Sequence, residues 1–582
     1  METLKWDLTY FFENTRSFYE EMEKVNSKVS EIEKYKGEKL TSKSLLDLLN
    51  KKWEIKELTN NILIYGSLKY YQNIKSDECI KMKNDAEVFN NEMNTKLKFV
   101  DNKILELGKD IILRFIEENP ALKIYELSID NLFRMQEHIQ DEKTNNQIKE
   151  NIDAINEQLN VYNKLLKDIK YEKIIIDDEE VEITNSNIAK YLSSRDRDTR
   201  KQAYFSVNGS YMDQKNEFAT ILDSIYCLRI KNANLQKYNS VLENVLHQEN
   251  IDSKIISSLI NAVNNNLDLI QKYFEIKADI LEIENPHLYD LGISLDNDLS
   301  IKFTLEEAIE IIKTALKPLG KEYLEVVNKL LDGHIDAELD ENKHQSIIFS
   351  WHTYSFMNFK GSYNDLKNLI HEIGHIVNYY LSKNKQPFIY EDSTIFVGET
   401  ASLINEILLL NYLYNNANSK EEKIFYLSKQ IENYFTTIYK QTMYTEFENE
   451  LYSLKLEQEL TVELLCEKYE KVIKKYYGNN ICYDDISFVE WARLGHLYRW
   501  SYYPYKYATG LLIASVVVNS LVNEKTLTKE QYLEFLSSGS SLYSLELLKM
   551  LNIDMTNSAI IDNGFKVLEN DIKELQKILI KK

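Results

Sequence analysis

Apolar residues recur at every third or fourth position through most of the first part of the chain, and lysine and glutamate fill the positions between them. In residues 99–107, for example, the spacing FVxxxILxL places the apolar side chains on one face of a helix. This periodicity predicts amphipathic α-helices from about residue 17 to residue 169, some of them long, with an interruption at Pro120. Helical patterns resume at about residue 196.

Two stretches depart from the helical period. Residues 174–183 run from three isoleucines into an acidic segment and predict a short β-hairpin or a loop excursion. Residues 347–356 are rich in β-branched and aromatic side chains and predict a strand. An exposed edge there would let a peptide pair with the strand through main-chain hydrogen bonds, although an ordinary structural strand fits the pattern equally well.

The composition favours long helices joined by short connections. The chain has 582 residues with only 5 prolines and 15 glycines, whereas turn-rich β-architectures need many of both. A break in the helical pattern at residues 193–196 predicts a domain boundary. We therefore divide the chain into an N-terminal helical lobe, residues 1–195, and a second domain, residues 196–582.

The charge and the cysteines restrict the possible partners and the compartment. A formal net charge of −22 argues against nucleic acid and anionic membranes as the main partners. The four cysteines are far apart and form no CxxC pair, which fits reduced thiols. Residues 1–7 lack the apolar stretch of a signal peptide, and the most apolar run, residues 511–518, is shorter than the roughly 20 residues that span a bilayer. These features predict a soluble cytoplasmic protein, monomeric or weakly homo-oligomeric.

One short motif carries the chemistry. His371 and His375 stand four residues apart, so on an α-helix their side chains share one face. Two imidazoles in that arrangement can reach one zinc ion at about 2.0–2.1 Å. Glu372 points away from the ligand face but can still reach a water beside the metal and accept its proton. The HExxH pattern therefore predicts hydrolysis by activated water, and the alternative is a buried helix that carries two structural histidines.

A catalytic zinc needs a third protein ligand and one open position. In the extended motif HExxHxxGxxH the third histidine would fall at position 381, which is Leu381, and no histidine occurs between His375 and His496. A carboxylate is therefore indicated as the third ligand. The nearby candidates are Glu391, Asp392, Glu399 and Glu406.

Among these carboxylates we favour Glu399, which lies in the segment FVGETAS at the opening of a predicted helix. Its small neighbours Gly398 and Ala401 allow close approach to the HExxH helix. Ser402 and Glu406 follow at i+3 and i+7 on the same face, and we expect them to orient the ligands through hydrogen bonds. The alternative is that Glu399 only caps a helix N-terminus.

At this point the chain resembles the M3 family of zinc metallopeptidases, and within it the oligoendopeptidase F type. HEIGH followed by FVGETAS looks like the zinc site of that family. Residues 358–366 are similar to the segment that leads into its zinc helix, and residues 491–496 and 503–510 resemble its His/Tyr substrate motif. Weaker likenesses at residues 6–9 and 194–200 extend the resemblance over nearly the whole chain.

The resemblance implies a mainly α-helical, two-lobed and gluzincin-like fold with a deep central channel and a small β-sheet beside the HExxH helix. It implies one Zn²⁺ per chain, bound by His371, His375 and Glu399, with Glu372 as the general base. A channel of that kind would admit short unfolded peptides and exclude folded proteins.

The C-terminal motif adds further expectations. Phenols and an imidazole are suited to donate hydrogen bonds to an oxyanion. The resemblance assigns this role to His496 with Tyr503 and Tyr505, and Tyr507 is a lesser candidate for contact with the substrate. The spacing from His496 is one residue longer than is usual in the family, which leaves the choice of tyrosine open. His352 resembles a family histidine near the substrate.

Two departures from the family pattern lie in the predicted strand. Bulky Ile347 and Ile348 stand where the family usually has a glycine-containing stretch, and Thr353 stands where a proline is common. They imply a shifted peptide preference, with the metal chemistry untouched.

Together these features predict a zinc endopeptidase that cleaves internal bonds of short oligopeptides. Two other functions fit the same scaffold less well. One is a carboxypeptidase or another zinc peptidase of narrow specificity. The other is an inactive helical protein that captures peptides, which is disfavoured because Glu372 and the expected metal ligands are all present.

Overall fold

The computed structural model describes residues 4–295 and 301–580, so the first three residues of the N-terminal stretch considered above lie outside the described residues. The helices before residue 300 are α1 (Thr15–Ile32), α2 (Ser42–Gln72), α3 (Asp77–Leu107), α4 (Lys109–Glu118), α5 (Glu126–Arg134), α6 (Glu142–Asp168), α7 (Ile188–Leu192), α8 (Arg197–Asp213), α9 (Lys215–Leu235), α10 (Val241–Gln248), α11 (Lys254–Asn265) and α12 (Leu267–Ile280). Those after residue 300 are α13 (Leu305–Ala315), α14 (Lys321–Leu330), α15 (Tyr363–Lys385), α16 (Ile395–Asn415), α17 (Lys420–Tyr434), α18 (Lys440–Lys455), α19 (Val462–Tyr477), α20 (Gly495–Arg499), α21 (Pro504–Val518), α22 (Lys529–Leu536), α23 (Ser544–Lys549) and α24 (Ser558–Ile580). The strands are β1 (Ile174–Ile176), β2 (Glu179–Val181), β3 (Ile335–Asp336), β4 (Phe349–Trp351) and β5 (Tyr354–Phe356).

Both predicted β-segments form hairpins. In the first, β1 and β2 pair antiparallel, and Asp177 and Asp178 turn the chain with φ values of 50° and 64°. In the second, β4 and β5 pair antiparallel with Phe349 opposite Phe356. Strand β3 adds in parallel to β5, so the sheet order is β3-β5-β4 and β4 lies at an edge.

The chain divides into two compact units, each built from three segments. Unit 1 comprises Met1–Ile139, Ile301–Leu409 and Thr526–Leu551, and unit 2 comprises Gln140–Ser300, Leu410–Lys525 and Asn552–Lys582. The mainly helical, two-lobed architecture predicted from the sequence is thereby confirmed. The predicted boundary between residues 195 and 196 falls within unit 2. The central channel stays a prediction.

The long helices α2 and α3 form much of the core of unit 1. The buried residues of α3 recur at steps of three or four, as expected for a helix packed along its whole length: Met82, Ala86, Phe89, Met93, Leu97, Val100 and Ile104. Gly66 of α2 lies against this face, where a Cβ would come within 3.0 Å of the Met82 carbonyl oxygen. The helical period of the first part of the sequence thus becomes a close antiparallel pair.

The N-terminal residues are fastened to the small sheet of unit 1. The indole of Trp6 donates to the carbonyl of Ser355 at 2.8 Å and also reaches the carbonyl of His334 at 3.0 Å. The backbone N–H of Asp7 donates to the carbonyl of Gly333 at 2.8 Å. Residues from the first and second segments of unit 1 therefore meet at one sheet.

One segment of unit 2, Pro504–Asn523, is long and apolar enough to cross a membrane by length and composition. It comprises α21 and a following π-helical turn, so the helix is longer than the apolar run in the sequence indicates. However, 67% of its most apolar stretch is buried inside the protein, as in the core helix of a soluble protein.

Candidate active site

The helix that carries HEIGH has a well-defined start. Ser362 caps α15, because its hydroxyl accepts from the backbone N–H of Asp365 while the Asp365 carboxylate accepts from the backbone N–H of Ser362. Gly361 precedes the cap with φ of 82°, and a Cβ there would lie 2.6 Å from the Phe303 carbonyl oxygen. Only glycine fits this entry to the helix.

His371 and His375 lie one turn apart near the middle of α15 and converge at their outer nitrogens. The two Nε2 atoms are 3.1 Å apart. Zinc bonds of about 2.0–2.1 Å in tetrahedral geometry would place two ligand nitrogens about 3.3 Å apart. The ring positions therefore suit one shared metal ion.

The inner nitrogen of each ring is held by a separate group. His371 Nδ1 lies 2.7 Å from Glu406 Oε1, and His375 forms a hydrogen bond to the backbone of Gly398. Lys367 Nζ lies 3.5 Å from the other carboxylate oxygen of Glu406. These contacts fix the ring orientations and leave both Nε2 atoms directed at the same point.

The electrostatic settings of the two imidazoles differ. Burial, together with the neighbouring His371, lowers the pKa of His375 to about 3. Burial opposes the charged form of His371 as well, but the hydrogen bond and negative charge of Glu406 outweigh it and raise the pKa of His371. The imidazole of His375 is thus neutral, which is the form that can coordinate a metal ion.

Glu399 completes the cluster from α16. Its carboxylate lies 3.9 Å from His371 Nε2, and one ligand atom from each of the three side chains lies within 4.8 Å of the others. The helix begins at Ile395, with no acidic residue in its first turn, so Glu399 is not a capping carboxylate. Burial raises the pKa of Glu399, which favours its neutral form until a cation arrives.

The two earlier carboxylate candidates lie elsewhere in unit 1. Glu391 is buried and accepts a hydrogen bond from the hydroxyl of Tyr379, and Asp392 lines a separate cavity described below. Neither belongs to the group of three that can hold a metal.

Close packing of α15 and α16 depends on the glycine within HEIGH. A Cβ on Gly374 would lie 2.5 Å from the Cα of Ser402, so the two helices touch backbone to backbone there. Gly398, expected to allow this approach, has only an ordinary contact of 3.8 Å to His375. The hydroxyl of Ser402 has no hydrogen-bond partner among the described residues, so Ser402 contributes packing where ligand orientation was predicted.

Glu372 lies beside the three-residue cluster and contacts the edge strand. Only 7% of its surface is exposed, and burial raises its pKa. The hydroxyl of Ser350 in β4 donates to its carboxylate and also reaches its backbone carbonyl at 3.2 Å. The carboxylate therefore has a fixed position next to the strand.

His352 occupies the turn of the β4–β5 hairpin with φ of 60°. Its ring packs on Tyr379 of α15 with centroids 4.2 Å apart, and its Nε2 lies 3.0 Å from Lys383 Nζ. Burial, then the charge of Lys383, lowers the pKa of His352 well below its usual value. His352 is buried, with 6% of the residue exposed, and its contact with substrate stays a prediction.

The C-terminal candidates all lie in unit 2. His496 is the second residue of the short helix α20, and the centroids of its ring and the Tyr444 ring are 5.8 Å apart. Tyr505 is fully buried in α21, whereas Tyr503 and Tyr507 are partly exposed and pack against each other at 5.3 Å. The accessible phenols are therefore Tyr503 and Tyr507, and the roles of all four residues stay predictions.

The cluster has the chemistry of a metal site. Two imidazoles and one carboxylate converge. The ring nitrogen of each imidazole that faces away from the cluster forms a hydrogen bond to Glu406 or to the backbone of Gly398. The side chains of His371 and Glu399 remain 22% and 23% exposed, which leaves room for a reacting molecule. Two imidazoles and one carboxylate form a donor set that could hold a divalent metal ion.

Sequence reasoning missed two residues of this site. Lys367, one turn before His371, could have been found from its i−4 position on the same face. Ser350 gave no local signal, because its contact with Glu372 depends on how the strand lies along α15.

The whole chain is similar to known peptidases. The model of peptidase family M3 matches residues 190–567. Oligopeptidase PepF of Bacillus subtilis is 29% identical over 99% of this chain and 87% of its own length, and an oligoendopeptidase F homolog of Borreliella burgdorferi is 27% identical over 99% and 98%. The crystal structure of a putative peptidase from Chlamydophila abortus superposes with a TM-score of 0.89 at 27% identity, covering 99% of this chain and 98% of that one.

The resemblance seen in the sequence is confirmed by these matches. The family also implies a metal cofactor, for which the His371, His375 and Glu399 cluster is suited. The chain belongs to peptidase family M3 and is a metalloendopeptidase of the oligoendopeptidase F type.

Proposed function

We propose that this protein is a zinc-dependent endopeptidase that hydrolyses internal bonds of short, unfolded oligopeptides, with Glu372 as the general base. The observation that carries the proposal is the convergence of His371, His375 and Glu399 beside a buried carboxylate. His371 and His375 would hold zinc through Nε2, and Glu399 through its carboxylate. Bound zinc would polarise the scissile carbonyl and lower the pKa of water near it.

The protein's own groups then manage the protons. Glu372 takes a proton from the attacking water and delivers it to the leaving nitrogen. Burial raises the pKa of this carboxyl, which brings it nearer to the working pH and suits both steps. The Ser350 hydroxyl holds the carboxylate in place through its hydrogen bond.

Strand β4 supports an extended substrate. It lies at the edge of its sheet, and Ser350 at its centre contacts Glu372. A peptide that pairs with this edge would pass directly beside the general base. Ile348, just before the strand, is 40% exposed and would meet a substrate side chain, consistent with a shifted peptide preference.

The cysteine chemistry supports a cytoplasmic location. All four cysteines, Cys79, Cys227, Cys466 and Cys482, are free. Reduced thiols are typical of the cytoplasm. Short peptides are the proposed partners, and the charge of −22 disfavours nucleic acid and anionic membranes.

Metal analysis and peptide cleavage test the proposal together. We expect one zinc per chain and cleavage of an internally quenched peptide that is blocked at both ends. A chelator should abolish cleavage, and zinc should restore it. An enzyme that leaves the blocked peptide intact but trims free ends would be an exopeptidase.

The variant Glu372→Gln separates the metal from the base. It should keep zinc, because Glu372 is not a ligand, while kcat falls by roughly 10²–10⁴-fold, as for loss of general acid–base catalysis. Normal turnover by this variant would remove Glu372 from the mechanism.

A further inference from the structure

One cavity of unit 1 lies away from the metal cluster. Its volume is about 350 Å³, and its walls come from α2, α3 and the segment that follows α15. None of His371, Glu372, His375 or Glu399 lines it. The cavity is mixed in character, because aromatic and apolar side chains, amides and two opposite charges all line it.

One charge is the ammonium of Lys56. This group has no ion-pair or hydrogen-bond partner among the described residues, and its contact is with the ring of Trp53 at 5.4 Å. The neighbouring lysine, Lys52, already pairs with Asp101. Burial, then the charge of Lys52, lowers the pKa of Lys56, so a bound anion would stabilise its charged form.

The other charge is the carboxylate of Asp392. It too forms no ion pair or hydrogen bond with any described residue, and it is not paired with Lys56 although both line the cavity. Burial alone raises its pKa, yet the side chain is accessible to solvent. That combination describes a carboxylate on the inside of a concave site, where a bound cation would stabilise the ionised form.

The remaining lining residues complete a small-molecule site. The rings of Trp53 and Phe388 have centroids 6.3 Å apart, and Met93 is a buried apolar neighbour. The amides of Asn60 and Asn90 supply donors and acceptors. Ligand sites commonly combine apolar walls with a few converging polar groups, in volumes of about 300–1,000 Å³.

We propose that this cavity binds a free amino acid with an aromatic or large apolar side chain. The α-carboxylate would pair with Lys56, the α-ammonium with Asp392, and the side chain would lie against Trp53 and Phe388. A zwitterion relieves both unpaired charges at once. A phosphate would be repelled by Asp392, and a neutral apolar ligand would leave both charges without partners.

The ligand class is chemically related to the products of peptide cleavage, but the proposal does not rest on turnover. Asp392 lies on the segment that joins α15 to α16, the two helices that carry the metal cluster. Binding can be measured directly on the full-length protein, whether or not it cleaves a given peptide.

Isothermal titration calorimetry with L-phenylalanine provides the first test. We expect saturable binding with one site per chain, unchanged by excess chelator, since an amino acid can also coordinate an active-site metal. N-acetyl-L-phenylalanine lacks the ammonium and L-phenylalaninamide lacks the carboxylate, and each should bind at least tenfold more weakly.

Two variants assign the charges. Asp392→Asn should abolish the preference for L-phenylalanine over N-acetyl-L-phenylalanine but keep the preference over L-phenylalaninamide. Lys56→Gln should abolish the preference over L-phenylalaninamide but keep the preference over N-acetyl-L-phenylalanine. Lys43→Gln on α2 and Glu117→Gln on α4, both at exposed positions, are matched controls that should bind like the unchanged protein.

Several results would overturn the proposal. These are no binding at millimolar concentration, binding that chelator abolishes, or preferences that survive both pocket variants. Tighter binding of phenylalanyl-phenylalanine than of L-phenylalanine would contradict a free amino acid as the ligand. Circular dichroism and the Tm of each variant, compared with the controls, separate loss of binding from loss of folding.

Discussion

Gly374 and Ser402 bring two helix backbones into contact, since a Cβ on the glycine would lie 2.5 Å from the serine Cα. Two of the three groups suited to hold the metal come from one helix and the third from the other. The distance between the helices at this point therefore sets whether His371, His375 and Glu399 can share one ion.

The substitution Gly374→Ala should separate the helices. Overpacking of this kind typically costs about 1–3 kcal/mol, and the displaced Glu399 should also weaken zinc binding. Thermal unfolding and competition with a zinc indicator measure the two effects. Gly398→Ala is the matched control, because its added Cβ meets His375 at an ordinary 3.8 Å. Equal effects of the two variants would contradict the role of Gly374.

Removal of the Ser350 hydroxyl should slow catalysis without loss of metal. A hydrogen bond to a charged group contributes about 1.5–3 kcal/mol, which corresponds to roughly a 10- to 100-fold drop in kcat if that energy is expressed in the transition state. Steady-state kinetics should show the change in kcat for Ser350→Ala, with zinc content unchanged. Ser355→Ala in β5 is a suitable control, since that hydroxyl has no hydrogen-bond partner among the described residues.

The variant Glu406→Gln tests the group behind the metal cluster. Without the negative charge at His371 Nδ1, zinc affinity should fall by roughly 10–100-fold, as for other groups that hydrogen-bond to metal ligands. The measurement is zinc competition at fixed pH. Glu391→Gln should keep normal affinity, because its carboxylate is bonded to Tyr379 outside the cluster. If zinc affinity fell in Glu391→Gln but not in Glu406→Gln, the role assigned to Glu406 would be wrong.

A buried acid in unit 2 predicts a pH-dependent stability. Burial raises the pKa of Asp571 on α24 to about 8, although a hydrogen bond from Gln430 opposes the shift. Because the folded pKa exceeds the unfolded one, the stability contribution is full below about pH 4 and is lost as the pH rises toward 8.

Asp571→Asn should remove this dependence. The variant should match the unchanged protein near pH 4 and have a higher Tm at pH 7 and above, with each unit of pKa difference worth about 1.4 kcal/mol at most. Melting curves from pH 4 to pH 9 provide the measurement. Asp562→Asn, exposed on the same helix, should leave the pH profile unchanged.

Local spacing was enough to find much of the site. His371 and His375 are related by one helical turn, and Glu399 and Glu406 by two, so their shared faces could be deduced from periodicity. Close approach of the helices was predicted at Gly398, whereas the glycine that allows it is Gly374. The sequence does not show which backbone atoms meet.

Contacts between distant segments could not be read from the sequence in the same way. Ser350 contacts Glu372 because a strand packs against a helix. Trp6 donates a hydrogen bond to Ser355, which lies 349 residues later in the sequence. His352 was expected near the substrate from resemblance, but its burial against Tyr379 depends on a hairpin turn that positions it. Each of these is set by tertiary packing.

The bond between Trp6 and the Ser355 carbonyl also has a consequence for biosynthesis. These residues are 349 positions apart, and unit 1 needs a further segment, Thr526–Leu551, near the end of the chain. At a synthesis rate of about 5–20 residues per second, the indole would wait roughly 20–70 seconds for its acceptor. Unit 1, which contains the candidate metal site, therefore cannot be completed until Thr526–Leu551 has been synthesised, so the site is assembled late in the synthesis of the polypeptide.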